Sequence, residues 1–184
     1  MNLLMLVGPS GVGKGTIIRE LRKHRSDIWL SVSATTRAAR VNEIHGVDYY
    51  FLSRTEFERM IEQDELLEWA EYAGNYYGTP KQQVIEQLKL GKLVVLEIEL
   101  VGARQIKAKL PDVIDVMVLP PSMAELADRL NGRGTENQAE RQRRLELAEE
   151  ELSAQGEFRY HIKNDTVSAA VAQLLPLLPA QSSE

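Results

Sequence analysis

The chain has 184 residues, 43% of them hydrophobic and 27% charged, a size and balance suited to one compact domain with a single core. Its formal net charge of -5 disfavours a surface that coats nucleic acid, and its lack of cysteine excludes a disulfide scaffold and a thiolate metal site. No apolar run approaches the roughly 20 residues of a membrane span, and the chain enters a strand without a charged leader, so the expectation is a cytoplasmic protein with no nucleic-acid or membrane partner.

The first apolar run, "LLMLVG" from Leu3, reads as a strand buried on both faces, and Ile17, Ile18 and Leu21 mark one face of the helix that follows. Trp29 to Thr35 alternates like a second strand. Thr35 to Pro80 breaks the rhythm: it is rich in Arg, Tyr, Glu and Gly, and holds a short helix candidate ("RTEFERMIEQ"). A strand and turn ("LLEWAEYAGNYYGTP") follow, with Pro80 opening the next helix. Lys92 to Leu100 reads as a central strand and Val113 to Pro121 as another. Ser122 is the N-cap candidate of "SMAELADRL", and Leu145, Ala148 and Leu152 give Ala139 to Ala154 a helical period. "NGRGTENQAERQRR" separates these two helices. "FRYHIKN" is the last strand, followed by a helix from about Ser168 that Pro176 and Pro179 punctuate. Strands alternating with helices predict an α/β fold with a parallel sheet, and the two irregular stretches read as inserted mobile lobes.

The chemistry begins at "GPSGVGKGT", which comprises Gly8, Pro9, Ser10, Gly11, Val12, Gly13, Lys14, Gly15 and Thr16 and joins a strand to a helix. Glycine, four residues, glycine, lysine is the spacing that lets backbone N–H groups curl round a phosphate. The helix start adds its positive dipole end, and Lys14 adds a point charge for the outer phosphates. A simple tight turn has no use for the lysine. The residue after Lys14 is Gly15, so the hydroxyl available to magnesium, directly or through water, is Thr16; a metal held mainly by nucleotide phosphates and waters suits such a loop. Gly-Thr after the lysine resembles the nucleoside monophosphate kinases, which directs attention to a phosphate acceptor.

"SVSATTRAARVNEIHGVDYYF" supplies Arg37, Arg40, Tyr49 and Tyr50, arginine forks and hydroxyls suited to phosphate oxygens. Glu68 offers two adjacent acceptors, matching the N1–H and exocyclic amine of guanine, whereas adenine presents a ring acceptor that a carboxylate repels. Ser33 and Thr79 are candidate donors to guanine O6.

With these pieces the chain resembles the guanylate kinase family, through "GPSGVGKGT", "SVSATTR", "DYYF", "LLEWAEYAGNYYGTP", "LEIELVGARQIK", "LPPS", "LNGRGTE" with "RRL", and Asn164–Asp165, in family order. The resemblance implies a P-loop nucleoside monophosphate kinase fold in one domain over residues 1–178, with 179–184 a tail. Its parts are a five-stranded parallel core (1–34, 80–130 and 144–178), a GMP-binding lobe (35–79) and a lid (131–143). It implies ATP, with Mg2+, at the loop, and Asn164 at the adenine edge. GMP contacts carry over onto Ser33, Arg37, Arg40, Glu43, Tyr49, Glu68, Tyr77 and Thr79. Glu97 and Glu99 stand where aspartates are common; they go to the GMP side, with magnesium-bound water and a lobe interface as open alternatives. Ala39 and Asn42 replace the usual proline and glycine, which predicts a looser loop around Arg40 and Glu43.

The attacking atom is a phosphate oxygen, largely ionised near neutral pH, so no general base is needed, and His24, His45 and His161 are scattered. Charge on the transferring group falls to Lys14, Arg37, Arg133 and Arg144, with Arg129 a weaker candidate and Arg141 and Arg143 read as solvated. Arg133 lies between Gly132 and Gly134, as on a hinge. A phosphopeptide-binding module of the same fold would lack the working loop or lid. Oligomeric state and the choice between GMP and dGMP are not legible.

Overall fold

The structure, a computed structural model, describes residues 1–131 and 138–181. The chain begins with β1 (Leu3–Val7), α1 (Lys14–His24), β2 (Ile28–Leu30), β3 (Ala34–Thr35), β4 (Tyr50–Phe51), α2 (Arg54–Glu62), β5 (Leu66–Tyr72), β6 (Asn75–Pro80) and α3 (Lys81–Lys89). It continues through β7 (Leu93–Glu97), α4 (Leu100–Lys109), β8 (Ile114–Leu119), α5 (Met123–Asn131), α6 (Gln138–Ser153), β9 (Tyr160–Lys163) and α7 (Val167–Leu174).

Five strands form a parallel sheet in the order β2-β7-β1-β8-β9, the fold class expected from the alternation of strand and helix. β1 lies at its centre, and every one of its residues is buried because helices cover both faces. Leu4 and Leu6 point to the face that packs on Ile17, Ile18 and Leu21 of α1 and on α7. Leu3, Met5 and Val7 point the other way, toward Ala103 and Ile106 of α4. Truncating such a residue, Leu6→Ala for example, costs about 2–5 kcal/mol.

The strand read over Lys92 to Leu100 is shorter than expected and not central: β7 ends at Glu97, and Glu99 is the N-cap residue of α4. The single strand expected from Trp29 to Thr35 is two. β2 pairs with β7, whereas β3 joins a second sheet of order β4-β3-β6-β5. Ser31 makes the last bond to the first sheet, donating its N–H to the Val95 carbonyl at 2.9 Å, and Ser33 makes the first to the second sheet, accepting from the Tyr50 N–H at 2.9 Å. An alternating pattern sets which face is buried but not which neighbour a strand finds.

The second sheet spans the irregular stretch. α2 starts where Ser53 and Glu56 form a reciprocal capping box, and Phe57 of that helix seals a small cluster with Ala34 and Leu66. β5 and β6 are a hairpin turned by Ala73 and Gly74, both at positive φ (49° and 77°), as a two-residue turn requires. In β5, Leu66 pairs with Pro80 and Trp69 with Gly78, so Leu67 and Glu68 share the space opposite Thr79 in a β-bulge. The Ser122 side chain accepts the Glu125 N–H at 3.2 Å, as its capping role predicts, and Thr166 caps α7 at Val167, one residue before the expected start.

Candidate active site

The chain leaves β1 at Gly8 and turns beneath β8. Its φ is 143°, and an added Cβ would lie 2.5 Å from the Val118 carbonyl oxygen, so no side chain fits. Gly13, at φ 100°, is the N-cap of α1. Between them the Val12 N–H bonds the Pro9 carbonyl at 3.1 Å, closing the loop on itself. Lys14 is 9% exposed and its ammonium donates to the Gly8 carbonyl at 2.5 Å, which bends the side chain back over the loop. Ser10 and Thr16 are exposed on the rim, and Gly15 lies beside the Glu97 carboxylate.

Two residues hold the loop from behind. The Asn164 amide, 4% exposed, donates to the Val12 carbonyl at 2.7 Å, and Arg129 reaches the Asn164 and Val12 carbonyls at 3.4 and 3.5 Å. Asn164, which the resemblance sets at the adenine edge, braces the loop through its side-chain nitrogen. Arg144 of α6 donates to the Ser10 hydroxyl at 2.7 Å and reaches the loop from the opposite side. Arg133 lies outside the described residues, as does residue 132–137 of the expected lid. Arg143 is exposed.

A cleft of about 1040 Å³ runs from this loop to the second sheet. Along it lie Lys14 and Thr16 at one end, Ser33, Tyr49 and Tyr77 further along, and Glu68 at its base. Arg37 forms a two-pronged ion pair with Glu43 at 3.0 and 2.9 Å and lies 5.4 Å from the Tyr49 ring centroid. The Arg40 backbone N–H also bonds Glu43, at 2.7 Å, while the Arg40 side chain is exposed. Glu43 is thus a strut for Arg37, and the ion pair holds its carboxyl below the usual range. Asn42 takes a φ of 73°, the left-handed conformation in which a glycine is usual.

Glu68 is 5% exposed, and its carboxylate accepts the Thr79 hydroxyl at 2.6 Å. The hydroxyl expected to meet guanine O6 is here hydrogen-bonded to the acid. Burial pushes Glu68 up to about 7, against the lowering effect of that hydrogen bond. Glu97 and Glu99 line the cleft between the two ends. Glu99 is open to solvent, but the cleft walls around it raise its carboxyl, and the Lys14 charge opposes the rise. Burial likewise pushes Glu151 of α6 up to about 7. Its place in an acidic helical run concealed it in the sequence, where nothing separates it from solvated Glu149 and Glu150.

Among the described residues no group of three or more His, Cys, Asp or Glu could hold a metal by itself. The oxygen donors near the loop are the exposed Thr16 hydroxyl and the Glu97 and Glu99 carboxylates, which suits a hydrated Mg2+ carried mainly by phosphates.

A glycine-lined anion loop on a helix N-terminus, facing a second small sheet across one cleft, defines a P-loop nucleotide phosphotransferase. The family model described as guanylate kinase matches residues 1–181. The chain is 50% identical to the guanylate kinase of Thermobifida fusca over 99% of this chain and 93% of that one. It is 52% identical to that of Trichormus variabilis over 92% and 85%. A crystal structure of guanylate kinase from Anaplasma phagocytophilum superposes with a TM-score of 0.77 at 30% identity, covering 95% of this chain and 83% of that one. The chain belongs to the guanylate kinase family, enzymes that transfer the γ-phosphoryl group of ATP to GMP.

Proposed function

We propose that ATP places its phosphates in the Gly8–Thr16 loop and that GMP lies along the second sheet, with its base on Glu68 and its phosphate on Arg37 and Arg40. The observation that carries this reading is the cleft that Lys14 and Glu68 both line. A GMP phosphate oxygen attacks the γ-phosphorus in line as the bond to the ADP oxygen breaks, and no side chain need take a proton. Lys14 leaves the Gly8 carbonyl for the outer phosphates, Arg144 approaches from α6, and Arg133 adds charge from the lid over 131–143, by resemblance. Arg37, held by Glu43, neutralises the acceptor phosphate, and the Tyr49 and Tyr77 hydroxyls complete its shell.

Mg2+ would be held through Thr16 and, by way of water, Glu97 and Glu99; when bound it neutralises charge on the ATP phosphates. Ser33 takes guanine O6. Asn164 positions the ATP loop by its bond to Val12. The lobe (35–79) moves against the core as nucleotides bind, excluding water from the transfer. The protein works in the cytoplasm, and no helix among the described residues is long and apolar enough to cross a membrane.

A coupled assay of ADP formation with ATP, Mg2+ and each of GMP, dGMP, AMP, UMP and dTMP tests the assignment. Turnover confined to the guanine nucleotides, with selectivity lost in Glu68→Gln, supports it. Equal selectivity in wild type and Glu68→Gln would remove Glu68 from base reading.

A further inference from the structure

Glycine at position 102 has no backbone explanation. Gly102 lies in the first turn of α4, its φ is not positive, and alanine is the better helix former there. Its environment supplies the reason. An added Cβ would lie 2.8 Å from the Glu68 carboxyl carbon and closer still to Oε2. The acid at the base of the cleft thus packs directly against bare helix backbone.

One and two turns further along α4, on the same face, two more residues grip the strand on either side of Glu68. The Gln105 amide accepts the Trp69 N–H at 3.2 Å and donates to the Trp69 carbonyl at 2.6 Å, and Lys109 donates to the Leu67 carbonyl at 2.7 Å. β5 is an edge strand, and the bulge at Leu67–Glu68 interrupts its pairing with β6. α4 therefore satisfies backbone groups that no further strand can reach, and it does so around the one acid that faces the base.

We infer that Gly102 and Gln105 are specificity-determining positioning residues: α4 sets the depth and aim of the Glu68 carboxylate, Gly102 by leaving it room and Gln105 by fixing the strand that carries it. This rests on the proposed reading of guanine by Glu68. Displacing the carboxylate weakens its bonds to both guanine donors, so a base that lacks the exocyclic amine is penalised less.

The test compares kcat/KM for GMP and for IMP, which lacks that amine, in wild type, Gly102→Ala, Gln105→Met, Glu68→Ala and the Gly102→Ala/Glu68→Ala double variant, with a thermal melt of each. Gly102→Ala is expected to shrink the GMP-to-IMP ratio by about tenfold and Gln105→Met by about threefold, mainly through a higher KM for GMP with kcat little changed. In the Glu68→Ala background Gly102→Ala should change the ratio no further, because its effect passes through the acid. A wild-type ratio in Gly102→Ala, beside a collapsed ratio in Glu68→Ala, overturns the inference and leaves the base reading intact. An unchanged ratio in Glu68→Ala overturns the base reading itself. Should Gly102→Ala fail to fold, Gln105→Met decides, and a wild-type ratio there overturns the inference.

Discussion

The two ends of the cleft are built from different materials. At the end proposed for ATP the loop springs from β1, a strand buried at all its positions, and what it offers a phosphate is backbone N–H groups and a helix start. At the end proposed for GMP the candidate groups are side chains on and beside a small sheet: Arg37 is held by Glu43, Glu68 by Thr79, and Arg40 lies exposed. Backbone cannot be misplaced without moving the core, so the first end is preformed. Side chains held by one another can exchange partners, so the second end can tell one ligand from another.

That contrast is broken most directly at Lys14, the charged side chain that the loop itself supplies. Lys14→Ala should lower kcat by about 10³-fold or more while leaving GMP affinity within about threefold, read by steady-state kinetics and calorimetry. A GMP affinity that falls in step with kcat would show the two ends to be one unit. Next in size, Gly8→Ala should destabilise the fold by about 3 kcal/mol or more in a denaturant melt, since its Cβ would lie 2.5 Å from a carbonyl oxygen in the core sheet. Gly74→Ala is the counterpart in the second sheet. With φ 77° but nothing within 4 Å of its Cβ, it should cost only about 1 kcal/mol, the smallest effect of the set.

Between these lies the titration of Glu68. Its folded carboxyl lies at about 7 against an ordinary 4.5, so its contribution to the stability of the empty protein is full below about pH 4.5 and is lost as pH rises through about 7. Guanine donors need the ionised acid, so GMP affinity should move the other way, tightening by up to about tenfold from pH 6 to 7 and then levelling. In Glu68→Gln only the step from the GMP phosphate, near about pH 6, should remain, and the empty variant should be about 1 kcal/mol or more stabler than wild type at pH 8. Identical binding profiles for wild type and Glu68→Gln would refute this account of the GMP end.

Most of the ATP end was legible in the sequence because its parts are consecutive: a strand, a turn with fixed glycine spacing, and a helix start. The GMP end was legible as a set of residues but not as an arrangement. Thr79 and Glu43, expected on the nucleotide, are also bonded to neighbouring side chains, Thr79 to Glu68 and Glu43 to Arg37, pairings that no local stretch announces. Asn164, expected at adenine, also braces the loop through the Val12 carbonyl, a bond across 152 positions. Gly102 was passed over, since a glycine whose reason is an acid 34 positions earlier leaves no local mark.

The sequence by itself determined the alternation of strand and helix, the anion loop, and the residue types proposed to face an acceptor nucleotide. These follow from periodicity, from glycine and proline geometry, and from the chemistry of single side chains, all of which act over a few residues. Only the tertiary structure decided that the run from Trp29 to Thr35 divides between two sheets, that β1 and not β7 is central, and that α4 grips the strand carrying Glu68. Those outcomes depend on which distant strands pair and which helix covers an edge. Pairing is settled by the burial of the whole core, which no local stretch encodes.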